Sequence, residues 1–428
     1  MAHPNPQSSD RRRSRSPTQG DNNRFRSRTP PTSSLPPKPA PQPIQFPIQP
    51  LQRFQGSSAS IKRPREIASF SFDDNHSYLE DDSGIQYYCA PQIGADLCEG
   101  FERFRYFEEK EDPHLDTLLT RLVSLEKKGE RVRADFVTWR GMVTKIMTSP
   151  YDKFASFEMF ATLHDGTIYI EDDFPSRLAD CASQSQSQHS QPPRNPHSPQ
   201  NRPSQEMMTY WGYKFETLSL LPTPLIETSR DFIENRRDMV VDNHAQYVSV
   251  ITTAFGPHSL ILGGEVDGVW DAKSDPDTPD PPDYIELKTA EELGGDRRDV
   301  LKFERKLLKF WAQSFLLGIS KVIVGFRSKH GILRAVEVYD TNKIPGMVRT
   351  GTGCWDGNTC INFTTAFLGH LKQTIKDDGV YKISLKKNGG VVEVSKIQER
   401  GTGKIISKEF LGWRKERDIA KQGTGAVG

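Results

Sequence analysis

Apolar residues recur at regular spacings along most of the chain beyond residue 66. Spacings of three and four residues predict helices within 96–130, over 299–318 and over 362–376. The helical pattern is clearest over 299–318, because its apolar stripe starts after an aspartate and stops at Gly318, a residue typical of helix ends. We therefore expect amphipathic helices that pack on a common core.

Alternation of apolar and polar residues indicates strands between and around these helices. The predicted strands lie at 68–72, 135–140, 210–216, 259–271, 284–290, 321–326, 331–339, 380–385 and 391–397, with two more within 154–170. An Asn-Gly pair separates the last two strands of the chain, as expected of a hairpin. The combination predicts one large α+β domain over 66–415, built on a mixed sheet.

Three segments lack this periodicity. Residues 1–65 carry twelve basic and two acidic residues among many Pro, Ser and Gln. Because such a composition buries too little apolar surface to offset the entropy of ordering, we predict a disordered arm there. We also predict a disordered insertion at 182–206 and a flexible tail at 416–428. The basic runs in the arm fit nuclear import or RNA tethering, and equally a solvated tail that aids solubility.

Composition excludes several classes of protein. The five cysteines form no C-x-x-C pair, so neither a zinc site nor a disulfide framework is predicted. No apolar run approaches the roughly 18 residues of a membrane-spanning helix, so we expect a soluble intracellular protein without a membrane partner. The basic arm favours the nucleus. Neither G-x-S-x-G nor a phosphate-binding P-loop is present.

Charged residues two apart interrupt two predicted strands. Glu265 and Asp267 follow an apolar run, and Glu286 and Lys288 lie on the next strand. Since side chains two apart on a strand share a face, three carboxylates and one ammonium are expected to converge. Clustered carboxylates need a cation, hard oxygen ligands suit Mg²⁺ or Mn²⁺, and the lysine suits a phosphate. The pattern is typical of a metal-dependent site that cleaves phosphodiesters.

Each charged pair also has a structural explanation. Charged residues alternate on solvated strand faces, and an E-x-K pair can form a cross-strand salt bridge. The apolar residues on both sides of Glu265 and Asp267 indicate a buried strand, where acidic residues are rare without a role. That flanking sequence favours the metal site over both structural explanations.

Four further residues are candidates for the same site. Glu216 ends a predicted strand, and it would hold a second ion or be an ordinary strand-end glutamate. Gln313 is a polar residue in the apolar helix, and its amide would bind a water, a phosphate oxygen or a backbone carbonyl. Arg140 and Arg327 each follow a strand-like run, and they would contact phosphate or close structural salt bridges.

Six motifs, taken together, resemble the DXO family of 5′-end decapping nucleases, and most closely its fungal nuclear branch. The resemblance covers roughly residues 66–385, and the motifs stand in the family's order. They are TWRG at 138–141, WGYKFE at 211–216, GEVDG at 264–268, IELK at 285–288, FWAQS at 310–314 and GFR at 325–327.

The resemblance implies two mixed β-sheets flanked by helices, with the site in a deep pocket. It implies that Glu265, Asp267, Glu286 and the Leu287 main-chain carbonyl bind metal, and that Glu216 completes the site directly or through water. Two ions, Mg²⁺ or Mn²⁺, are expected.

The same resemblance assigns roles to the polar residues around the ligands. Lys288 and Gln313 would position the attacking water or the phosphate. Arg140 would contact the RNA backbone, and Arg327 is carried over as a phosphate-binding residue.

The substrates implied are RNAs whose 5′ ends carry a triphosphate, an incompletely methylated cap or a nicotinamide-containing cap. Removal of that group would leave 5′-monophosphate RNA. The fungal nuclear branch also implies a partner, a nuclear 5′→3′ exoribonuclease. Two alternatives remain at this stage, namely a DNA-processing nuclease and a non-catalytic subunit that stabilises an exoribonuclease.

Overall fold

The computed structural model describes residues 42–129, 131–189, 203–271 and 282–424. The strands of these ranges are β1 (Ile44–Pro47), β2 (Ile61–Phe72), β3 (Tyr78–Leu79), β4 (Tyr87–Tyr88), β5 (Phe136–Trp139), β6 (Phe157–His164), β7 (Thr167–Asp172), β8 (Leu220–Leu221), β9 (Gln246–Phe255), β10 (His258–Glu265), β11 (Gly268–Val269), β12 (Tyr284–Glu291), β13 (Lys321–Arg327), β14 (Leu333–Asp340), β15 (Val380–Leu385) and β16 (Val391–Gln398). The helices are α1 (Asp116–Lys128), α2 (Arg140–Thr148), α3 (Phe174–His189), α4 (Gln205–Ser219), α5 (Arg230–Asn235), α6 (Arg297–Leu317), α7 (Ile344–Thr350), α8 (Gly357–Thr374) and α9 (Lys408–Thr424).

The strands form two mixed sheets, which confirms the predicted α+β class. The larger sheet has the order β1-β16-β15-β6-β7-β5-β10-β9-β2-β3, and the smaller has the order β14-β13-β12-β11-β4-β8. Helices α2 and α6 contribute to the core shared by the two sheets. Helix α1 packs on the opposite face of the larger sheet, and α4 packs on the opposite face of the smaller one. Among the helices of the described ranges, none combines the length and apolar character that a bilayer span requires.

The predicted strand at 259–271 is wrong in one respect that matters for the site. Strand β10 ends at Glu265 in the larger sheet, and β11 begins at Gly268 in the smaller one. The chain therefore crosses between sheets at Val266 and Asp267. A side chain at Gly268 would come within 2.9 Å of the Gln86 carbonyl, so the crossing needs glycine there.

The predicted strand at 210–216 is a helix. Ser204 caps α4 by accepting a hydrogen bond from the Met207 N–H at 3.1 Å. The buried residues of α4 lie three or four apart, so burial against the smaller sheet follows a helical period. The aromatic run had satisfied a strand pattern equally well, and the cap was the signal that distinguished the two.

The predicted disordered arm and insertion are too long. Strand β1 and the start of β2 lie within 1–65, and Phe46 and Phe54 pack on Phe363 of α8 with ring centroids 5.7 and 5.2 Å apart. Helix α3 enters the predicted insertion and α4 starts inside it. Apolar residues spaced among Pro and Gln order the end of the arm. Residues 1–41 and 190–202 lie outside the described residues.

The predicted flexible tail is also wrong up to the end of α9. Arg414 donates to the buried Glu126 carboxylate at 2.7 Å, and the Trp413 indole donates to its other oxygen at 3.0 Å. These contacts join α9 to α1, which covers the larger sheet. Residues 425–428 lie outside the described residues.

Replacing Glu126 tests this attachment. Glu126→Ala leaves the buried Arg414 without its carboxylate, so we expect a loss of about 3–5 kcal/mol in the free energy of unfolding, measured by urea denaturation. Glu234→Ala is the control, because it removes an exposed pair with Arg230 and should cost less than about 0.5 kcal/mol. Equal losses in the two variants would contradict a role for α9 in stability.

Candidate active site

Strand β12 presents its charged residues to the inner face of the smaller sheet. Side chains alternate along the strand, so Glu286 and Lys288 point to the face opposite Ile285 and Leu287. Ile285 and Leu287 pack in the core that contains α4. The Glu286 residue is only 1% exposed, so its carboxylate depends on partners within the protein.

The edge of β12 is open where the site forms. Strand β11 pairs only with the first two residues of β12. Beyond that point the Asp267 carboxylate accepts the Leu287 N–H at 2.6 Å. The N–H and C=O of one strand residue point to the same side, so the Leu287 carbonyl also faces Asp267. The Lys288 ammonium donates to this carbonyl at 3.0 Å.

Two cations hold the Glu286 carboxylate. Lys288 Nζ lies 2.6 Å from Glu286 Oε1 and 3.9 Å from Asp267 Oδ2. Arg140 Nη1 lies 3.1 Å from Glu286 Oε2. Arg140 is the first residue of α2, directly after β5, and β5 pairs in parallel with β10. The larger sheet therefore positions Arg140, and the smaller sheet positions Glu286.

Glu265 and Glu216 approach from other elements. Glu265 ends β10, so it shares no strand with Asp267, and the two converge because the chain changes sheets between them. Glu216 lies near the end of α4 and not at a strand end. Both line a cavity of about 90 Å³ together with Asp267, Tyr213 and other residues.

The surroundings raise the pKa of three carboxyl groups in the cluster and lower that of the fourth. Glu265 is exposed to the cavity, but the protein around it displaces water from its carboxyl group and raises the pKa to about 7, with the neighbouring Asp267 charge adding to the effect. Burial also raises the pKa of Asp267 and that of Glu216 above the ordinary values. For Glu286, burial is outweighed by the Lys288 and Arg140 charges, and its pKa is lowered. Burial opposes the charge of Lys288, yet Glu286 and Asp267 raise its pKa.

The donor set fits a divalent cation. Four carboxylates face the two cations Lys288 and Arg140, and the raised pKa values of Glu265, Asp267 and Glu216 show that these charges are incompletely compensated. The oxygens of Glu265, Asp267 and Glu286, with the Leu287 carbonyl, are hard ligands of the kind that Mg²⁺ and Mn²⁺ prefer. Glu286 stays ionised through its two cationic neighbours.

Gln313 lies on the face of α6 that is turned to this cluster. Its neighbours one turn away are Lys309 and Leu317. Burial and the Lys288 charge lower the pKa of Lys309, so Lys309 lies within range of the Lys288 charge. Leu317 lies against Gly264, next to Glu265, where an added Cβ would be 2.7 Å from it. Gln313 therefore stands between two residues that border the cluster.

Arg327 lies away from the cluster. Strands β12 and β13 pair in register, so Arg327 stands opposite Glu291, five residues and about 16 Å from the level of Glu286. The parity of the register puts Arg327 on the other face of the sheet, where its guanidinium lies 4.1 Å from the Trp211 ring. The structure thus gives its predicted phosphate contact no support.

Two residues near the site were not among the predicted site residues. Tyr213 lines the small cavity, and burial with the nearby Glu216 and Glu265 charges raises its pKa to about 12. Lys309 adds a positive charge beside Lys288. The helical spacing of 299–318 puts Lys309 one turn from Gln313, so the sequence could have identified Lys309. Tyr213 could not be identified in this way, because 210–216 was predicted to be a strand.

Residues 62–411 match the model of the RAI1-like PD-(D/E)XK nuclease family. The chain belongs to this family. The decapping nuclease RAI1 of Aspergillus fumigatus is 48% identical to it, over 86% of this chain and 98% of the relative. Membership of the RAI1-like family confirms the expected nuclease core and makes the protein a hydrolase of the nuclease class.

Solved structures of RAI1-like nucleases share the fold. Candida albicans Rai1 in complex with pU5-Mn²⁺ matches with a TM-score of 0.78 at 27% identity, over 87% of this chain and 99% of the other. Scheffersomyces stipitis Rai1 in complex with (3′-NADP)⁺ and calcium ion matches with a TM-score of 0.77 at 31% identity, over 87% and 100%. These likenesses agree with a divalent-metal site in the RAI1-like fold.

The raised carboxyl pKa values predict how pH changes stability in the absence of metal. The folded state binds the Glu265 proton more tightly than the unfolded chain, so this contribution is complete below the ordinary glutamate value and is lost as pH rises through about 7. In EDTA we expect Tm to fall between about pH 5 and pH 8, and Mn²⁺ to restore it at the higher pH. The Glu265→Gln/Asp267→Asn variant should show a smaller fall, and an unchanged slope would contradict the prediction.

Gly264 is predicted to set the position of Arg140. An alanine Cβ at Gly264 would lie 2.7 Å from Leu317 Cδ1 and 3.0 Å from Arg140 Cβ. We expect Gly264→Ala to cost about 1–3 kcal/mol in stability and to reduce hydrolysis by displacing the guanidinium from Glu286. Gly141→Ala is the control, since its Cβ would meet nothing within 4 Å. Denaturation and hydrolysis should separate the two variants, and equal behaviour would refute the positioning role.

Proposed function

We propose that this protein hydrolyses the 5′ ends of RNA in a divalent-metal-dependent reaction. It removes a triphosphate as pyrophosphate, an incompletely methylated cap or a nicotinamide cap, and it leaves 5′-monophosphate RNA. The observation that carries the proposal is the convergence of Glu265, Asp267, Glu286 and Lys288 around the open Leu287 carbonyl. Support for RNA comes from the likeness to Candida albicans Rai1, which was solved with pU5-Mn²⁺.

In this proposal the carboxylates bind the metal, and the basic residues keep one of them ionised. A bound divalent ion, Mg²⁺ or Mn²⁺ and by the family pattern a pair of them, supplies Lewis-acid activation of the reaction. Glu265, Asp267 and Glu286 hold it with the Leu287 carbonyl, and Glu216 completes the set. Arg140 and Lys288 keep Glu286 ionised and therefore able to act as a ligand.

Lys288 and Gln313 act on the phosphate and the water. Because its pKa is raised, Lys288 stays an ammonium at neutral pH and offsets negative charge that develops on the phosphoryl oxygens. Gln313, one turn from Lys309 on α6, orients the water through its amide. In the hydrolysis of a 5′-triphosphate, the water oxygen bonds to the α-phosphorus, the bond to the bridging oxygen breaks, and pyrophosphate leaves with that electron pair.

The nicotinamide cap has support of its own. Scheffersomyces stipitis Rai1 was solved with (3′-NADP)⁺ and calcium ion. A cavity of about 1060 Å³ reaches Glu265 in this protein, which is enough for a dinucleotide. We propose the same substrate class here, without an order of preference among the three 5′ groups.

A panel of matched RNAs tests the proposal. RNAs with a 5′-triphosphate, unmethylated cap, methylated cap, nicotinamide cap or 5′-monophosphate are incubated with Mg²⁺ or Mn²⁺, and the released group and the RNA length are resolved. We expect release of pyrophosphate or of an intact cap group, and a loss of at least about 100-fold in Asp267→Ala. Matched DNA oligonucleotides report whether the site instead processes DNA.

The control variant also removes one negative charge, but at a position outside the site. Glu292 is an exposed carboxylate just beyond β12, and Glu292→Gln should retain wild-type release. Absence of release from every RNA, with folded wild-type protein and bound metal, would overturn the enzymatic proposal. Full activity of Asp267→Ala would remove the assignment of the site.

We propose as a second role that the protein binds a nuclear 5′→3′ exoribonuclease and works in the nucleus. The basic runs in residues 1–65 support nuclear import or RNA tethering. A surface observation favours a partner protein, since Ile226 is 94% exposed beside Leu225 at 54%. Adjacent exposed apolar side chains are typical of interaction sites. A protein that produces 5′-monophosphate RNA also suits a partner that degrades it.

Ile226→Asp is predicted to weaken this association at least about tenfold, since it places a charge in an apolar contact. Binding to the exoribonuclease of the same cell is measured by titration with purified proteins, and RNA 5′-end hydrolysis should be unchanged. Ile397→Asp, at another exposed apolar position, is the control. Undiminished binding in Ile226→Asp would show that this loop is not the contact.

A further inference from the structure

The large cavity beside Glu265 has an acidic lining. Seven carboxylates line it, together with three histidines and the basic residues Lys110 and Arg177. Arg177 is paired with Glu109 at 2.5 Å, and Lys145, outside the lining, is paired with Asp172 at 2.7 Å. An RNA backbone in this cavity would meet a negative wall, which repels phosphates unless further cations are present. A bound cation would lower this repulsion.

Three potential ligands converge in this wall. His114 Nδ1 lies 3.1 Å from both oxygens of Glu171 and 3.6 Å from Asp112 Oδ2. One ligand atom from each residue lies within 4.8 Å of the other two. Atoms bound to one ion at about 2.1 Å are roughly 3.0–3.5 Å apart, so small shifts would bring all three to an ion.

The three groups are fixed by the surrounding structure. Glu171 lies on β7 and is only 4% exposed. Asp112 Oδ1 accepts the His114 N–H at 3.0 Å, which leaves Oδ2 for another partner. The Trp139 indole donates to the His114 carbonyl at 3.3 Å and ties the loop to the strand before Arg140. His114 is held at a φ of 46°, a conformation uncommon for residues other than glycine.

This group is separate from the catalytic carboxylates. Trp139 of β5 pairs with Gly263 of β10, and Thr138 pairs with Ile170 of β7, so Glu171 continues the same row. Glu171 and Glu265 lie two strands apart in the sheet and are offset by two residues along the strand direction. Their Cα atoms are therefore about 12 Å apart. The charged groups that act on Glu171 are His114, Asp112 and Asp116, and none of the catalytic carboxylates is among them, so we treat the two groups of ligands as separate clusters.

We propose that Asp112, His114 and Glu171 form a second divalent-cation site, which takes a transition-metal ion such as Mn²⁺ or Zn²⁺. An imidazole nitrogen beside two carboxylates favours these ions over Mg²⁺. The bound ion offsets the acidic wall and contacts a phosphate of RNA in the cavity, a role that rests on the proposed function. The competing arrangement is a hydrogen-bonded His114–Glu171 ion pair without metal.

Counting bound Mn²⁺ on the full chain separates these arrangements. In the Glu265→Gln/Asp267→Asn background, electron paramagnetic resonance should still detect one bound Mn²⁺, with a nitrogen coupling from an imidazole ligand. Adding His114→Gln should remove both the ion and the nitrogen coupling. Adding Glu111→Gln, which neutralises an exposed carboxylate of the same wall, should leave both in place.

Glu171→Gln is a second variant in case His114→Gln fails to fold, and it should also lose the ion. Mn²⁺ that persists in both variants, or that lacks the nitrogen coupling, overturns the site. Zn²⁺ should displace this Mn²⁺, and Mg²⁺ at equal concentration should not. In the otherwise wild-type enzyme, His114→Gln should raise KM for RNA with little change in kcat, and an unchanged KM would overturn the RNA contact while the ion count still decides the site.

Discussion

The site depends on the crossing of the chain from the larger sheet to the smaller one between β10 and β11. Glu265 is the last residue of β10 in the larger sheet, and Glu286 lies on β12 in the smaller sheet. Asp267, in the connection, accepts a hydrogen bond from the Leu287 N–H at 2.6 Å. That hydrogen bond fixes the connection to the open edge of β12. Because β12 has no β11 partner beyond Ile285, the Leu287 carbonyl remains free of the ladder, and the cluster acquires a neutral oxygen among its charges.

The cost of gathering like charges explains the chemistry of the cluster. Burial and mutual repulsion raise the pKa of Glu265 and of Asp267, whereas Lys288 and Arg140 lower that of Glu286. The fold therefore favours the ionised form of Glu286, whereas the negative charges of Glu265 and Asp267 are not fully compensated by cations of the protein. A divalent ion would supply the missing positive charge. Arg140 links this balance to the packing of α2 on β10, since its Cβ lies beside Gly264.

The sequence predicted the members of the cluster better than their geometry. The E-x-D and E-x-K spacings identified Glu265, Asp267, Glu286 and Lys288, but the strand predicted over 259–271 wrongly places Glu265 and Asp267 on one strand. Nothing local marks a change of sheet, because Val266 and Val269 continue the apolar pattern and their partners are distant in the chain. Arg327 shows the same limit, since its face is decided by the register of β12 and β13. The C-terminal helix α9 was missed because only its first turn is apolar, with Phe410 and Leu411 in the core, and ion pairs with α1 hold the turns that follow.

We propose that Glu265, Asp267, Glu286 and the Leu287 carbonyl bind the divalent metal that supports hydrolysis at RNA 5′ ends. Crystals of the protein soaked with Mn²⁺ and a non-hydrolysable 5′-triphosphate RNA would test it most directly through the anomalous signal of manganese. The account predicts manganese at about 2.0–2.3 Å from these oxygens, with the RNA α-phosphate beside Lys288. Manganese bound only elsewhere, with the RNA 5′ end away from Lys288, would contradict it.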